Sequence, residues 1–533
     1  MQLRTVLILS LVSLHLISGC ASTPAPVVAP VAAPESQPSK TSTSITVHTD
    51  RPKGQISRHI HGQFSEMLGR GIHQGIWVGP DSPIPNTRGL RNDVVAALRR
   101  AKVPVIRWPG GCFADYYHWK DGVGQRDQRR PQVNALWGGA TEDNQFGTHE
   151  FMDLCQQVGC EPYICANVGS GSVQEMNEWI AYLNSDDDIP IVQMRRANGR
   201  QDSWHVRFFG IGNESWGCGG NMSPDFYADQ YLQYMTYAWA YSGNFLYRIA
   251  CGPNVSDYNW TETLMRRARW AMDGLSLHYY TVPGTWQDKG SAISFDEHEW
   301  FVTMQKAFFM DELLRKHGEI MYRYDPDKRV GLIVDEWGTW FNAEPGSRPG
   351  FLYQQNTLRD ALVAGLTLNI LQRHCDRVKM ANIAQTVNVL QAMILTDNEK
   401  MLLTPTYHVF DMYKVHQDAT RLATDVNCPR YGPPDGAIPS VSASASRDAS
   451  GRLHISLCNL DPDSPMPVTV HLNAAQAKAV SATVLTAEAM NAHNTFENPD
   501  AIKPTELKDV RLADTSSVEL TLPSKSVVML EIE

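Results

Sequence analysis

The chain has 533 residues, of which 43% are hydrophobic and 20% charged, and a formal net charge of −10. That composition excludes a disordered or collagen-like protein, and the length permits a large core without disulfide support. No long basic run is present to neutralise phosphates, which argues against nucleic acid as a partner.

At the N-terminus, Arg4 precedes an apolar stretch from Val6 to Ile17 that is too short to span a bilayer. It ends in Ile17-Ser18-Gly19-Cys20, which resembles a bacterial lipoprotein signal. The pattern predicts a signal peptide over 1–20 with a lipidated Cys20; the alternative is a plain secretory signal with an incidental cysteine. Residues 21–43 are rich in Ala, Pro, Ser and Thr and read as a flexible to semi-extended linker. With Ala21 after the cysteine, the expectation is an exported lipoprotein held at the outer membrane through Cys20. Ten cysteines minus Cys20 leave nine, so at least one is unpaired in a monomer. Their spacing matches neither a dense disulfide scaffold nor a zinc site. Cys155, Cys160 and Cys165 therefore read as small buried apolar residues, and no metal is expected.

Residues 44–58 alternate apolar and polar side chains around Gly54 and predict a short hairpin or edge strand. From His59 onward, strands are predicted at 59–66, 104–108, 162–167, 206–212, 247–251, 274–278, 330–334 and 378–383. Helices are predicted at 88–102, 148–158, 174–183, 224–241, 261–270, 299–317 and 354–374. Parallel strands with helical crossovers, eight in number, predict a (β/α)8 TIM barrel over 59–404. The long Gly-rich link at 109–144, with Trp119 and Trp137, reads as a loop over the active face. Tyr234, Tyr237, Trp239 and Tyr241 lie at helical spacing and read as helix packing. Beyond about residue 405 come short alternating strands separated by polar turns. They predict an additional all-β sandwich, jelly-roll-like, over 405–533, with the 44–58 strands joining it.

Barrel enzymes place their chemistry at the C-terminal ends of strands. The predicted strands end at or near Glu66, Asn213-Glu214, Tyr280, Glu336 and Gln385. Glu214 and Glu336 each follow a strongly apolar run and precede a tryptophan, Trp216 and Trp337. A carboxylate in that setting is costly to desolvate, so it is either functional or held in an ion pair with an arginine such as Arg107. Two carboxylates facing each other across a barrel mouth suit glycoside hydrolysis, and Asn213 beside one of them suits a sugar hydroxyl. No HExxH, phosphate-binding loop, dinucleotide fingerprint or nucleophile elbow is present.

The stretches HGQFSEMLGRGI at 61–72, VIRWPGGCFADYYHWKDGVG at 105–124, GIGNESWGCGG at 210–220, SLHYY at 276–280, VDEWGTW at 334–340 and AQTVNVLQAMI at 384–394 resemble, in this order, the α-L-arabinofuranosidases of glycoside hydrolase family 51. The resemblance implies that Glu214 is the acid/base and Glu336 the nucleophile of a retaining, exo-acting enzyme. It also implies that Glu66, Asn213, Tyr280 and Gln385 bind substrate, that Cys112 replaces the Asn of many relatives in the sugar pocket, and that Trp119 belongs to the pocket wall. The resemblance places His278 in the pocket or directly behind it, with its role left open. The expected substrates are terminal arabinofuranosyl groups on arabinan or arabinoxylan oligosaccharides, with no cofactor, and a homo-oligomer is possible as in relatives. Two other readings stay open: the same chemistry on β-glucan or xyloside substrates, and a non-catalytic carbohydrate-binding lipoprotein.

Overall fold

The computed structural model describes residues 42–533; the predicted leader, Cys20 and most of the linker lie outside the described residues. Eight parallel strands close into a barrel: β1 (Gly62–Phe64), β2 (Val105–Trp108), β3 (Glu161–Ala166), β4 (Phe208–Ile211), β5 (Tyr247–Ala250), β6 (Gly274–Thr281), β7 (Gly331–Thr339) and β8 (Val378–Ala384), with β8 pairing back onto β1. The TIM barrel predicted from the alternating pattern is the observed fold. Val105, Tyr163, Phe208, Ile249, Ile333 and Met380 meet inside it as one apolar cluster. These strands are apolar on both faces because helices cover the outside while side chains fill the inside.

Besides a short helix at Pro190–Ala197, the α-helices among the described residues are α1 (Asn92–Arg100), α2 (Thr148–Val158), α3 (Val173–Asn184), α4 (Pro224–Thr236), α5 (Tyr258–Ala268), α6 (Glu297–Tyr324), α7 (Leu358–Arg373) and α8 (Pro405–Tyr413). Their starts are encoded locally. Ser223 accepts the Phe226 N–H ahead of Pro224, and Thr404 accepts the Tyr407 N–H ahead of Pro405. Gly159, at φ 83°, stops α2 in the left-handed conformation.

Three expectations change. α4 ends at Thr236 rather than 241; of its aromatic series Tyr234 packs inward and Tyr241, beyond the helix, is partly buried against the core, while Tyr237 and Trp239 are exposed. α8 lies beyond the boundary read at 404/405, so the strands of the second domain begin only at Thr420. The N-terminal segment is neither a hairpin nor an edge. Thr43–Gln55 is one long strand between Thr420–Asn427, which it pairs antiparallel, and Met466–Asn473, which it pairs parallel. Partners on both sides come from distant parts of the chain, which a local alternation cannot reveal.

These strands belong to a ten-stranded sheet that closes over its own apolar interior, built from residues such as Ile45, Leu422, Ile455, Val470 and Leu530. α7 lies between the barrel and this sheet and is buried almost all round. That explains its lack of a polar face. Asn369 on α7 accepts the Ser456 hydroxyl at 2.7 Å, so this buried amide oxygen is satisfied.

Candidate active site

β4 delivers the first carboxylate through a turn that the sequence makes tight. Gly212 stands at φ 86° and Glu214 itself at φ 40°, a left-handed conformation that a non-glycine residue adopts only when its surroundings impose it. Asp115, from the β2–α2 loop, supplies the constraint. Its Oδ1 accepts the N–H groups of Val168 (2.7 Å) and Gly169 (2.9 Å), and its Oδ2 accepts that of Asn213 (2.9 Å). One buried carboxyl therefore ties together the segments after β2, β3 and β4. Burial raises its pKa to about 7 despite those three donors. A Cβ on Gly219 would sit 2.0 Å from the Asn213 carbonyl oxygen, so only glycine lets this loop fold back.

β7 delivers the second carboxylate. Glu336 Oε1 accepts from Arg107 Nη1 at 2.8 Å, and Oε2 accepts from the Tyr280 hydroxyl at 2.8 Å. Arg107, on β2, also donates through Nη2 to Asn213 Oδ1 at 2.5 Å. The Asn213 amide thus spends its oxygen on the arginine and keeps its NH2 as a donor. Asp335 lies 3.4 Å from Arg107 Nε and accepts the Tyr163 hydroxyl at 2.8 Å. The two readings offered for the glutamates, catalysis or an arginine ion pair, are not exclusive for Glu336, because Arg107 is buried beside it.

His278, on β6, links the carboxylates. Its Nδ1 donates to Glu214 Oε1 at 2.8 Å and lies 3.6 Å from Glu336 Oε2, while its Nε2 lies 3.2 Å from Asp335 Oδ1. Burial works against its charge, but Glu336, Asp335 and Glu214 outweigh burial and push its pKa up to about 10. It is an imidazolium across the physiological range. Through it, one oxygen of Glu214 and one of Glu336 lie within 4.8 Å of each other. Glu214 is raised from its ordinary value, first by burial and further by the Glu336 charge, with the His278 hydrogen bond pulling the other way.

The remaining wall comes from β1 and β8. Glu66 Oε1 accepts the Phe113 N–H and the Trp137 indole N–H, both at 2.9 Å, and the Gln385 side-chain oxygen accepts the Glu66 N–H at 3.0 Å. Burial, with the Glu336 charge, raises the Glu66 pKa to about 7. A Cβ on Gly111 would stand 2.9 Å from both Glu66 oxygens, so the Pro109-Gly110-Gly111 turn serves close backbone approach. Glu66, Cys112, Glu214, Tyr280, Glu336, Trp340 and Gln385 line one pocket. A larger cleft of about 820 Å³ shares Leu68 and Trp137 with it; Glu142 and Asp143 also approach within 4.8 Å there, but they are neighbours in the chain gathered around His73, which Glu142 holds at 2.9 Å, rather than carboxylates from different strands.

Two sequence-derived site residues need correction. Trp119 is not in the pocket wall: it is buried against Trp179 of α3, with parallel rings 6.0 Å apart, and the same loop returns Trp137 to the pocket instead. Cys112 does line the pocket, but not as a free thiol, because it forms a disulfide with Cys218. The half-cystines lie 3.9 and 3.4 Å from Glu214 Oε2. The partner is 106 residues away in the chain, so spacing gave no hint of the pair. Sequence reasoning also missed Asp335 and Trp137 as parts of the site, and it placed His278 at the pocket without giving it a role. The only available signal was their position next to or within the same motifs as Tyr280, Glu336 and the long loop.

Comparison with known proteins agrees with this geometry. Residues 97–293 match the α-L-arabinofuranosidase 1 domain, and residues 335–526 match the α-L-arabinofuranosidase C-terminal domain. An intracellular exo-α-L-arabinofuranosidase of Bacteroides ovatus is 51% identical over 92% of this chain and 96% of its own length. The crystal structure of an arabinofuranosidase of the same glycoside hydrolase family, 51, from Xanthomonas axonopodis pv. citri superposes with a TM-score of 0.92 at 49% identity, covering 93% of this chain and all of that one. The arabinose complex of the Thermotoga maritima α-L-arabinofuranosidase gives a TM-score of 0.82 at 31% identity, covering 92% of this chain and 100% of that one.

These findings also correct the expected location. The Bacteroides relative is named an intracellular enzyme, which overturns the outer-membrane lipoprotein read from Cys20. That reading leaned on a short apolar run and one cysteine, a signal interpreted by processing machinery rather than by folding physics. Among the described residues, no helix is long and apolar enough to cross a membrane.

Proposed function

The chain belongs to the α-L-arabinofuranosidases of glycoside hydrolase family 51, and from that premise we propose that it is a retaining, exo-acting enzyme releasing terminal arabinofuranosyl groups from arabinan or arabinoxylan oligosaccharides. The observation that carries the reading is the approach of Glu214 and Glu336 to within 4.8 Å. Retaining glycosidases hold their two carboxyls ~5 Å apart, whereas inverting ones leave a wider gap for water.

Glu336 attacks the anomeric carbon while the glycosidic C–O bond breaks, and the leaving oxygen takes the proton of Glu214. Water then attacks the same carbon and gives a proton back to Glu214, which releases Glu336. His278 orients this proton. Because Glu214 Oε1 accepts from the imidazolium, the acid proton resides on Oε2, the oxygen beside the Cys112–Cys218 disulfide. The charges also stay balanced through the cycle. Arg107 and His278 offset Asp335 and Glu336 while Glu214 is protonated; in the glycosyl-enzyme, Glu336 is an ester and Glu214 carries the negative charge in its place. The imidazolium touches both positions and needs no reorganisation between them. Glu66, the Asn213 NH2 and Gln385 face the sugar hydroxyls.

A panel of aryl glycosides tests the substrate. Turnover of the α-L-arabinofuranoside is expected; turnover of the β-glucoside or β-xyloside with none of the arabinofuranoside would reject the reading. NMR of the first-formed product should give the α-anomer, and the β-anomer would reject retention. His278→Gln tests the positioning role. Loss of the cation that holds Glu214 down should move the falling limb of the kcat/KM profile to higher pH and lower kcat by about 10–100-fold. A rate loss with an unmoved pH profile would reduce His278 to packing.

A further inference from the structure

We propose that the turn Cys112–Asp115 is the positioning element of the acid/base: Asp115 holds Asn213 just before Glu214, and the disulfide of Cys112 holds Cys218 just after it. The inference rests on the reading of Glu214 as acid/base and deepens it by naming the residues that aim its carboxyl. Both holds come from one short 3-10 turn that follows β2. Asp115 Oδ2 accepts the Asn213 N–H at 2.9 Å, and Cys112 is bonded to Cys218. Between them the Phe113 N–H donates to Glu66 Oε1 at 2.9 Å, so the same turn also fixes a wall of the sugar pocket.

The Glu214 loop needs an outside hold because its own conformation is unfavourable. Glu214 stands at φ 40°, where a side chain crowds its own backbone. Its carbonyl oxygen accepts the N–H groups of Gly217 at 2.7 Å and Gly219 at 3.1 Å, which closes the loop on itself. Those bonds fix the loop internally but not its tilt over the pocket. Freed at both ends, Glu214 would relax toward a more favourable φ, and its carboxyl would swing with the backbone. A displacement on the order of 1 Å takes a catalytic group out of line with the reacting atom and costs about 10²-fold in rate.

Asp115 is an expensive residue in this place. It is 5% exposed, and its two oxygens are held by three backbone N–H groups, with no cation bonded to it among the described residues. What a carboxylate supplies is acceptance in two directions. Oδ1 faces Val168 and Gly169 at the end of β3, and Oδ2 faces Asn213 at the end of β4. An asparagine has one acceptor, and in either orientation its NH2 would meet a backbone N–H donor to donor. The fit leaves no slack: a Cβ on Gly219 would stand 2.7 Å from Asp115 Oδ2, and one on Gly169 would stand 2.9 Å from the Asp115 Cβ. The end of β3 thus serves as the fixed base from which Asp115 holds the Glu214 loop.

The second hold lies at the reacting atom itself. The sulfurs of Cys112 and Cys218 stand 3.9 and 3.4 Å from Glu214 Oε2, the oxygen that carries the acid proton. A disulfide has no S–H to donate, so it bounds Oε2 by shape without drawing on that proton. On the other side His278 Nδ1 holds Oε1 at 2.8 Å. The carboxyl is therefore confined between an imidazolium and a disulfide, on a backbone that Asp115 keeps from turning.

The test compares wild type, Asp115→Asn and the double variant Cys112→Ser/Cys218→Ser on two substrates. The leaving oxygen of α-1,5-linked arabinotriose needs the acid proton, and the phenolate of a dinitrophenyl α-L-arabinofuranoside does not. The ratio of kcat/KM on the first to that on the second cancels the fraction of folded enzyme, so a role in folding alone leaves it unchanged. That ratio should fall about 10–100-fold in Asp115→Asn and about 3–10-fold in the double cysteine variant. A ratio within about twofold of wild type in Asp115→Asn overturns the proposal. If that variant does not fold, the same limit applied to the cysteine variant decides. A fall in Asp115→Asn with none in the cysteine variant overturns the disulfide's part and leaves Asp115 as the single hold. Glu214→Ala is the control for the premise: an unchanged ratio there rejects the acid/base reading itself rather than its positioning.

Discussion

Glu336→Gln is expected to retain less than about one part in 10⁴ of wild-type kcat on an aryl α-L-arabinofuranoside. The amide matches the carboxylate in shape but cannot form the glycosyl ester, so no conservative geometry rescues the first step. The substitution also leaves Arg107 with Asp335 as its remaining buried acidic partner, since the 2.8 Å contact to Glu336 Oε1 loses its charge. A stability loss of about 1–3 kcal/mol should accompany the lost rate. Urea unfolding separates the two effects: a folded variant without turnover assigns the loss to chemistry. Activity above one per cent of wild type in a preparation free of contaminating enzyme would remove Glu336 from the nucleophile's role.

Glu214→Ala should behave differently on different leaving groups. On an arabino-oligosaccharide, whose alkoxide leaves poorly, kcat/KM is expected to fall by about 10²–10⁴-fold. On a dinitrophenyl arabinofuranoside, which leaves without a proton, kcat/KM should change little while kcat and KM fall together, because the glycosyl-enzyme accumulates awaiting a base. Azide should restore turnover and yield the arabinofuranosyl azide of retained configuration, since a small anion needs no deprotonation and fits the space vacated. The pH profile carries the same signature. The raised pKa of Glu214 keeps it protonated to higher pH than an ordinary carboxyl, and its ionisation sets the falling limb of kcat/KM. Removing the group should abolish that limb on the activated substrate. Equal losses on both substrates, or a falling limb that survives, would place the acid/base elsewhere.

The site was legible where function coincides with position at a strand end. Glu214 and Glu336 each terminate an apolar run, and a carboxylate there is visible against its neighbours. Gln385 and Glu66 were found on the same logic, through β8 and β1. The misses have a common cause. Trp119 and Trp137 share one long loop, and nothing in its composition says which indole turns inward; the tertiary path sends Trp119 to Trp179 and Trp137 to Glu66. Cys112 was noticed as an unusual residue, but its partner Cys218 lies two strands further on, beyond β4. His278 was noticed too, without the three carboxylates that define it.

What this chain's order of residues determined alone is the alternation of eight apolar strands with helices, the local caps that start those helices, and the two glutamates placed where a barrel opens. Those features depend on neighbours within a few positions, so they are written in the sequence. The charge state of His278, the pairing of Cys112 and the central place of Thr43–Gln55 in the second sheet depend on groups brought together from remote segments. Only closure of the barrel and packing of the sheet against α7 bring those groups within a few ångströms, the range at which electrostatics and hydrogen bonds act.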